Sequence, residues 1–192
     1  MADDSFARFV SLACHDLRTP LATVSGFAHT LQHNELGQPA DRYVEMIQAA
    51  SGQIAEILDE LGMVTRIEAG RFAPNLSEAN TLELAQAAAS LVGEKASAGG
   101  EGGDVQVDRS ATERGLAAFA RCALRHGGLD AVDLTADGAI LAISPVLEDV
   151  GPIILGEDLK DLGSAAARQL VEATGGSVEL EGERLLVRLS SG

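Results

Sequence analysis

An apolar residue recurs every seven positions along the first stretch of the chain, from residue 3 to about residue 33, and this repeat constrains the fold more than any other feature. The repeat is formed by Val10, Leu17, Val24 and Leu31, with Ala13 and Phe27 on the companion position three residues later. This spacing predicts a long helix that presents a narrow apolar seam of the coiled-coil type.

A second heptad stretch follows, from about residue 40 to residue 69, and predicts a second long helix with its own seam. That seam is formed by Ile47, Ile54 and Leu61, with Ala50, Ile57 and Val64 three residues later. Residues 34–39 contain Gly37 and Pro39, which mark a turn between antiparallel helices. One hairpin cannot bury both seams, so we expect two hairpins to associate as a dimeric four-helix bundle.

His15 falls on the first helix opposite the seam, and we therefore expect its side chain in water. Asp16 is its neighbour, and Thr19 follows at i+4 on the same helix face. An exposed imidazole with an acid and a hydroxyl nearby is suited to nucleophilic or acid–base chemistry. On spacing alone, the alternative is a solvated surface histidine without a role.

The segment 15–21, His-Asp-Leu-Arg-Thr-Pro-Leu, resembles the phosphoacceptor box of two-component sensor histidine kinases. This resemblance implies that His15 is phosphorylated on a ring nitrogen and that Asp16 assists proton movement there. It also implies that Asp16 and Thr19 position a water that dephosphorylates a bound response regulator. Pro20 would kink the helix just beyond the site. Residues 57–61 and 66–72 look like the end of the second helix in the same family.

Charge and composition limit the classes of partner and the compartment. The formal net charge is −15, with 29 acidic and 14 basic residues, which argues against a nucleic-acid partner and against an anionic membrane surface. No run approaches the roughly 18 to 20 apolar residues of a membrane span, so we expect a cytoplasmic protein. The possibility of a membrane segment upstream in a longer chain stays open.

Cys14 and Cys122 form no Cys-x-x-Cys motif, and we expect neither a disulfide nor a metal site.

Beyond residue 72 the pattern changes to alternating strands and helices, which predicts a second domain. We expect the domains to be residues 1–72 and residues 73–192, the second being an α+β sandwich. Helices are predicted at 81–92, 111–126 and 160–173, a strand at 104–107, and hairpins at 131–143 and 177–189. Residues 144–158 are expected to be less regular. The glycine-rich residues 96–103 are predicted to be the one linker-like segment.

The order and spacing of the predicted elements after the hairpin resemble the ATP-binding domain of sensor kinases. The resemblance is clearest in residues 168–180. In that resemblance the magnesium-binding asparagine aligns with Cys122, and its polar partner one turn earlier aligns with Ala118. A neutral thiol is a poor magnesium ligand and alanine is none. The resemblance therefore implies the fold of that domain without its magnesium ligands.

The two glycine-rich boxes of that family are only partly present. The adenine-binding box finds Asp149 and Gly151, with Ile153 in place of its second glycine. The later box finds Gly163, with Asp161 in place of a glycine, and an aspartate repels phosphate. We therefore regard Asp149, Gly151 and Gly163 as the remnant of a nucleotide site and expect no cofactor.

From these losses we favour a histidine phosphotransfer protein on a kinase scaffold, in which His15 exchanges a phosphoryl group with response-regulator aspartates. The expected partners are receiver domains, an upstream hybrid kinase and a second copy of the chain. Leu12 and Leu21 would dock the receiver or simply pack against the second helix. One alternative is an ATP- and Mg²⁺-dependent histidine kinase that autophosphorylates His15. Another is a non-catalytic regulator that sequesters a kinase or a response regulator.

Overall fold

The structure is a computed structural model that describes residues 2–33 and 40–190, and its contacts divide the chain into two compact units. The first unit is Met1–Gly62 and the second is Met63–Gly192. This division groups the end of the second helix with the second unit, whereas the sequence places the boundary after residue 72. The predicted turn at residues 34–39 lies outside the described residues.

Two long helices make up the helical hairpin, α1 over Ala2–His33 and α2 over Ala40–Glu68. Every residue of the two predicted seams is buried or half-buried, and Ala13, Ala50 and Val64 are the most buried of them. The heptad prediction of both helices is thus confirmed. Helix α1 continues through Pro20, which is buried and has no N–H to donate to the carbonyl of Asp16.

An aromatic pair joins the last turns of α1 to the first turns of α2. The rings of Phe27 and Tyr43 are stacked with centroids 5.3 Å apart and planes at 25°. Phe27 belongs to the seam of α1, and Tyr43 lies in the first turns of α2, so the pair fixes the two helices as antiparallel neighbours. Such aromatic contacts add about 0.5 to 1.5 kcal/mol beyond the burial of area.

The second unit is built on a mixed five-stranded sheet in the order β2-β4-β5-β7-β6, with a separate two-stranded sheet of β1 and β3. Strand β2 is parallel to β4 and the other pairs are antiparallel. The strands are β1 Ser77–Asn80, β2 Ala96–Gly102, β3 Asp104–Val107, β4 Val132–Gly138, β5 Ile140–Ser144, β6 Ser177–Glu181 and β7 Arg184–Arg188. Both predicted hairpins and the strand at 104–107 are present, and β1 and β2 are additions.

Four helices accompany the sheet: α3 Thr81–Val92, α4 Arg109–Gly127, α5 Gly151–Ile154 and α6 Leu162–Ala173. The start of α4 was predicted two residues late and the start of α6 two residues early. In both cases an aspartate caps the helix and sets its first residue. The carboxylate of Asp108 accepts a hydrogen bond from the backbone N–H of Ala111, and the carboxylate of Asp161 accepts one from the backbone N–H of Ser164. Helix α5 lies within the segment that was expected to be irregular.

At strand β4, one face of the sheet is covered and the other is open to water. Along β4, Val132 and Leu134 are buried while Asp133 and Thr135 between them are exposed. The buried side faces a core that includes Phe119 of α4. Helices on one face of a mixed sheet confirm the predicted α+β class. Among residues 2–33 and 40–190, no helix combines the length and the apolar character needed to cross a membrane.

The prediction of a linker at residues 96–103 is wrong, because most of this segment forms strand β2. Its backbone pairs in parallel with β4 from Ala96 opposite Val132 to Gly102 opposite Gly138. The glycines reflect close approach: Gly100 has φ +101, and a Cβ there would collide with the carbonyl oxygen of Ala136. A strand that is held by backbone hydrogen bonds needs no particular side chains. The glycine-rich composition of this segment therefore led to the prediction of a linker.

Candidate functional site

His15 projects from the solvent side of α1, as predicted. Its side chain is 77% exposed, and its Nδ1 lies 3.1 Å from Oδ1 of Asp16. A carboxylate only accepts hydrogen bonds, so in this contact Nδ1 carries the hydrogen and donates. The lone pair of a neutral imidazole is then on Nε2, which makes Nε2 the nucleophilic atom.

Thr19 lies one helical turn after His15 and is also exposed. Its carbonyl accepts a hydrogen bond from the Oγ1 of Thr23 at 3.0 Å. The structure thus places the imidazole, the carboxylate and the Thr19 hydroxyl on one accessible stretch of α1. This arrangement can offer a nucleophile together with an acid and a hydroxyl to a molecule that binds this face.

The predicted nucleotide remnant is spread over two elements of the second unit. Asp149 is exposed, Gly151 is buried at the start of α5, and Gly163 lies in the first turn of α6. A Cβ on Gly151 would lie 2.8 Å from Cδ2 of Leu180. Leu180 is thus the neighbour that a side chain at position 151 would have to displace, and the interpretation of these residues as the remnant of a nucleotide site stays a prediction.

A buried thiol occupies the position that the sequence resemblance aligns with the family's magnesium ligand. Cys122 has no exposed surface, and Ala118 one turn earlier offers no ligand atom. Burial, and then the charge of Asp161, raise the pKa of the Cys122 thiol to about 12. At neutral pH this side chain is a neutral thiol, which does not fit Mg²⁺.

The N-terminus of α6 is already capped by a carboxylate of the chain itself. Oδ1 of Asp161 accepts from the backbone N–H of Ser164 at 2.9 Å, and the side chain of Asp161 is only 7% exposed. A helix N-terminus attracts phosphate when its N–H groups are free, and here a buried negative group occupies that place. The residues of this region therefore do not fit a magnesium-bound nucleoside triphosphate.

The other oxygen of Asp161 faces two basic side chains of α4. Oδ2 lies 3.4 Å from Nε2 of His126 and 3.4 Å from Nη1 of Arg125. With Cys122, these residues form a cluster that the sequence analysis missed. The sequence contained one indication of this cluster. Cys122 and His126 are four residues apart, so on a helix their side chains share one face.

Comparison with known proteins gives the class of the hairpin. Residues 7–70 match the His Kinase A (phospho-acceptor) domain, a range that contains His15, Asp16 and Thr19. The histidine protein kinase DivJ of Caulobacter vibrioides is 29% identical over 189 residues, covering 88% of this chain and 31% of its own length. A sensor-like histidine kinase of Rhizobium meliloti is 26% identical over 178 residues, covering 84% of this chain and 34% of its own.

Solved structures give the fold of the whole chain. The histidine kinase AdeS of Acinetobacter baumannii matches with a TM-score of 0.69 at 16% identity, covering 93% of this chain and 98% of that one. Full-length ShkA in complex with AMPPNP matches with a TM-score of 0.52 at 21% identity, covering 97% of this chain and 47% of that one. At these identities the likeness concerns the fold alone.

Residues 7–70 therefore form a His Kinase A phospho-acceptor domain, and the chain as a whole has the fold of a histidine kinase of known structure. The predicted resemblance to sensor histidine kinases is confirmed for the phospho-acceptor hairpin and for the fold. The chain spans about a third of the length of the curated relatives it matches. The narrower resemblance to histidine phosphotransfer proteins stays a prediction.

Proposed function

We propose that His15 accepts a phosphoryl group on Nε2 and passes it to an aspartate of a response regulator. The observation that carries this proposal is the exposed imidazole whose Nδ1 is held by Asp16, within the matched phospho-acceptor range. The lone pair of Nε2 attacks the phosphorus in line, and the bond to the leaving oxygen breaks with its electrons. Nε2 carries no hydrogen in this tautomer, so no proton has to leave it during attack.

The source of the phosphoryl group has two candidates, and different observations favour each. The names of both long relatives are those of kinases, which favours the ATP-dependent kinase over the phosphotransfer protein. The buried thiol of Cys122 and the carboxylate cap of Asp161 favour loading from a phosphorylated receiver domain, because neither fits a magnesium triphosphate. The receiver would then supply the metal ion for the transfer.

We further propose that the hairpin works as a homodimer. Apolar side chains remain exposed on the single hairpin, with Leu21 at 51%, Val44 at 42% and Leu58 at 52% exposure. A second copy would cover such residues in a four-helix bundle. Leu21 lies six residues after His15, so a receiver docked at His15 is the competing occupant for that side chain.

The decisive experiment gives the full chain two labelled donors in separate reactions. One reaction contains Mg-ATP labelled on the γ-phosphate, and the other contains a labelled receiver domain without ATP. We expect an acid-labile label in the wild type that is absent from His15→Gln and retained in the matched control His29→Gln. Label from ATP alone identifies the kinase, and label from the receiver alone identifies the relay. A label that persists in His15→Gln, or no label from either donor, overturns the proposal.

A further inference from the structure

The cluster at the junction of α4 and α6 brings together a thiol, an imidazole and a carboxylate. The potential ligand atoms of Cys122, His126 and Asp161 all lie within 4.8 Å of one another. Cys122 and Asp161 are buried and His126 is half-buried. These residues come from one face of α4 and from the N-cap of α6, so the fold itself assembles them.

The distance between two of these atoms is already that of neighbouring ligands on one ion. Nε2 of His126 and Oδ2 of Asp161 are 3.4 Å apart. For metal–ligand bonds of about 2.0 to 2.1 Å at a tetrahedral centre, the edge between two ligands is roughly 3.3 to 3.4 Å. The thiol of Cys122 has to approach by a rotation of its side chain to complete the third bond.

Nε2 of His126 also lacks an ordinary hydrogen-bond partner. The atom is buried and makes no hydrogen bond, although the carboxylate of Asp161 lies within ion-pair distance. A buried ring nitrogen without a partner is costly, whereas a metal ion satisfies its lone pair directly. Oδ2 of Asp161 is not needed for the helix cap, because Oδ1 is the oxygen that caps α6.

We propose that Cys122, His126 and Asp161 bind one zinc ion through Sγ, Nε2 and Oδ2, with a water in the fourth position. Thiolate, imidazole and carboxylate together are ligands that zinc prefers, and magnesium does not accept the first of them. On binding, the Sγ–H proton is released to solvent as the sulfur–zinc bond forms. A thiolate and a carboxylate balance the two charges of the ion.

Arg125 is a nearby group whose charge opposes a cation. Its Nη1 lies 3.4 Å from the same oxygen of Asp161 that would bind the metal. The Arg125 side chain is 66% exposed, so it can turn into solvent when the ion arrives. The site is thus a feature of the second unit, independent of His15, and it departs from the expectation of no metal drawn from the cysteine spacing.

The test titrates the metal-free full chain with Zn²⁺ and, as a spectroscopic probe, with Co²⁺. We expect one ion per chain, a thiolate-to-cobalt charge-transfer absorption and a higher melting temperature with zinc. Cys122→Ala should lose the charge-transfer band, and both Cys122→Ala and His126→Gln should weaken binding by about tenfold or more. Asp161→Asn keeps the cap on Ser164 while removing the charge, so its loss of affinity is separable from unfolding.

The matched control is Cys14→Ser, which removes the exposed thiol of α1. It should bind zinc as the wild type does. Circular dichroism of each metal-free variant checks that the fold is intact. A zinc stoichiometry below one ion per chain at saturation, or a cobalt spectrum that Cys122→Ala leaves unchanged, overturns the proposal. Labelling of His15 is a separate measurement, so either proposal can fail alone.

Discussion

Oδ1 of Asp16 lies 3.1 Å from Nδ1 of His15, although the two residues are adjacent on a helix. Neighbouring helical side chains point about 100° apart, so only the length of the ring and of the carboxylate lets them meet. The contact holds the tautomer in which Nε2 is free, and it stabilises the positive charge that develops on the ring when Nε2 is phosphorylated.

Replacing Asp16 tests this role directly. Asp16→Asn keeps the size of the side chain and removes the charge that favours an N–H at Nδ1. We expect phosphoryl acceptance by His15 to slow about 10²-fold, within the usual range for a general acid–base partner. The measurement is the initial rate of labelling, with Asp41→Asn on the exposed first turn of α2 as the matched control. Equal rates in the two variants would contradict the assignment.

Thr19 is expected to act in a different reaction from His15. Thr19→Ala removes the hydroxyl that would position a water against a phosphorylated response regulator, and it leaves Nε2 of His15 untouched. Regulator dephosphorylation should slow while labelling of His15 stays within about twofold of the wild type, because no acid or base has been removed. Thr30→Ala, which removes a hydroxyl bonded to the carbonyl of Gly26, is the control. Parallel loss of both activities would count against separate roles.

The buried thiol predicts a loss of stability at high pH in the metal-free chain. Burial raises the pKa of Cys122 from 9.0 to about 12, so the unfolded chain ionises before the folded one. The free energy of unfolding should be unaffected by this group below pH 9. It should then fall by up to about 1.4 kcal/mol per pH unit as the pH rises toward 12. Urea titrations of the wild type and of Cys122→Ala at several pH values isolate the contribution, and identical slopes would refute it.

The backbone of β2 offers a paired test of the sheet. Gly100→Ala imposes φ +101 on alanine and drives its Cβ into the carbonyl of Ala136, so we expect a loss of about 2 to 4 kcal/mol. Gly99→Ala, in the same strand, meets nothing within 4 Å and should cost far less. Thermal and urea unfolding give both values. Similar destabilisation by the two substitutions would mean that β2 does not pair as described.

The heptad periodicity made the helical hairpin predictable from the sequence, but it did not predict the contacts of individual side chains. The heptads located α1 and α2 to within a residue, and the seam also fixed the exposed side on which His15 lies. The same rules did not anticipate the contact between His15 and Asp16, because they describe side chains three or four residues apart. That contact depends on rotamers, which the sequence does not specify.

In the second unit, the side-chain patterns located the hairpins and the main helices, whereas the glycine-rich strand β2 was missed. Its pairing with β4 rests on backbone groups, which carry no mark in the side chains. The cluster of Cys122, His126 and Asp161 was missed for another reason. Asp161 is distant in sequence, and only the packing of α6 beside α4 brings its carboxylate to the two α4 side chains.

The order of strands in the five-stranded sheet also bears on how the second unit folds. Its β4–β5 and β6–β7 hairpins are local, and such hairpins form within microseconds. The sheet is complete only when Ala96 meets Val132 and Ile140 meets Arg188, and each of these pairings closes a long loop. Refolding of this unit should therefore be governed by its contact order, with these two long-range pairings as the slow step.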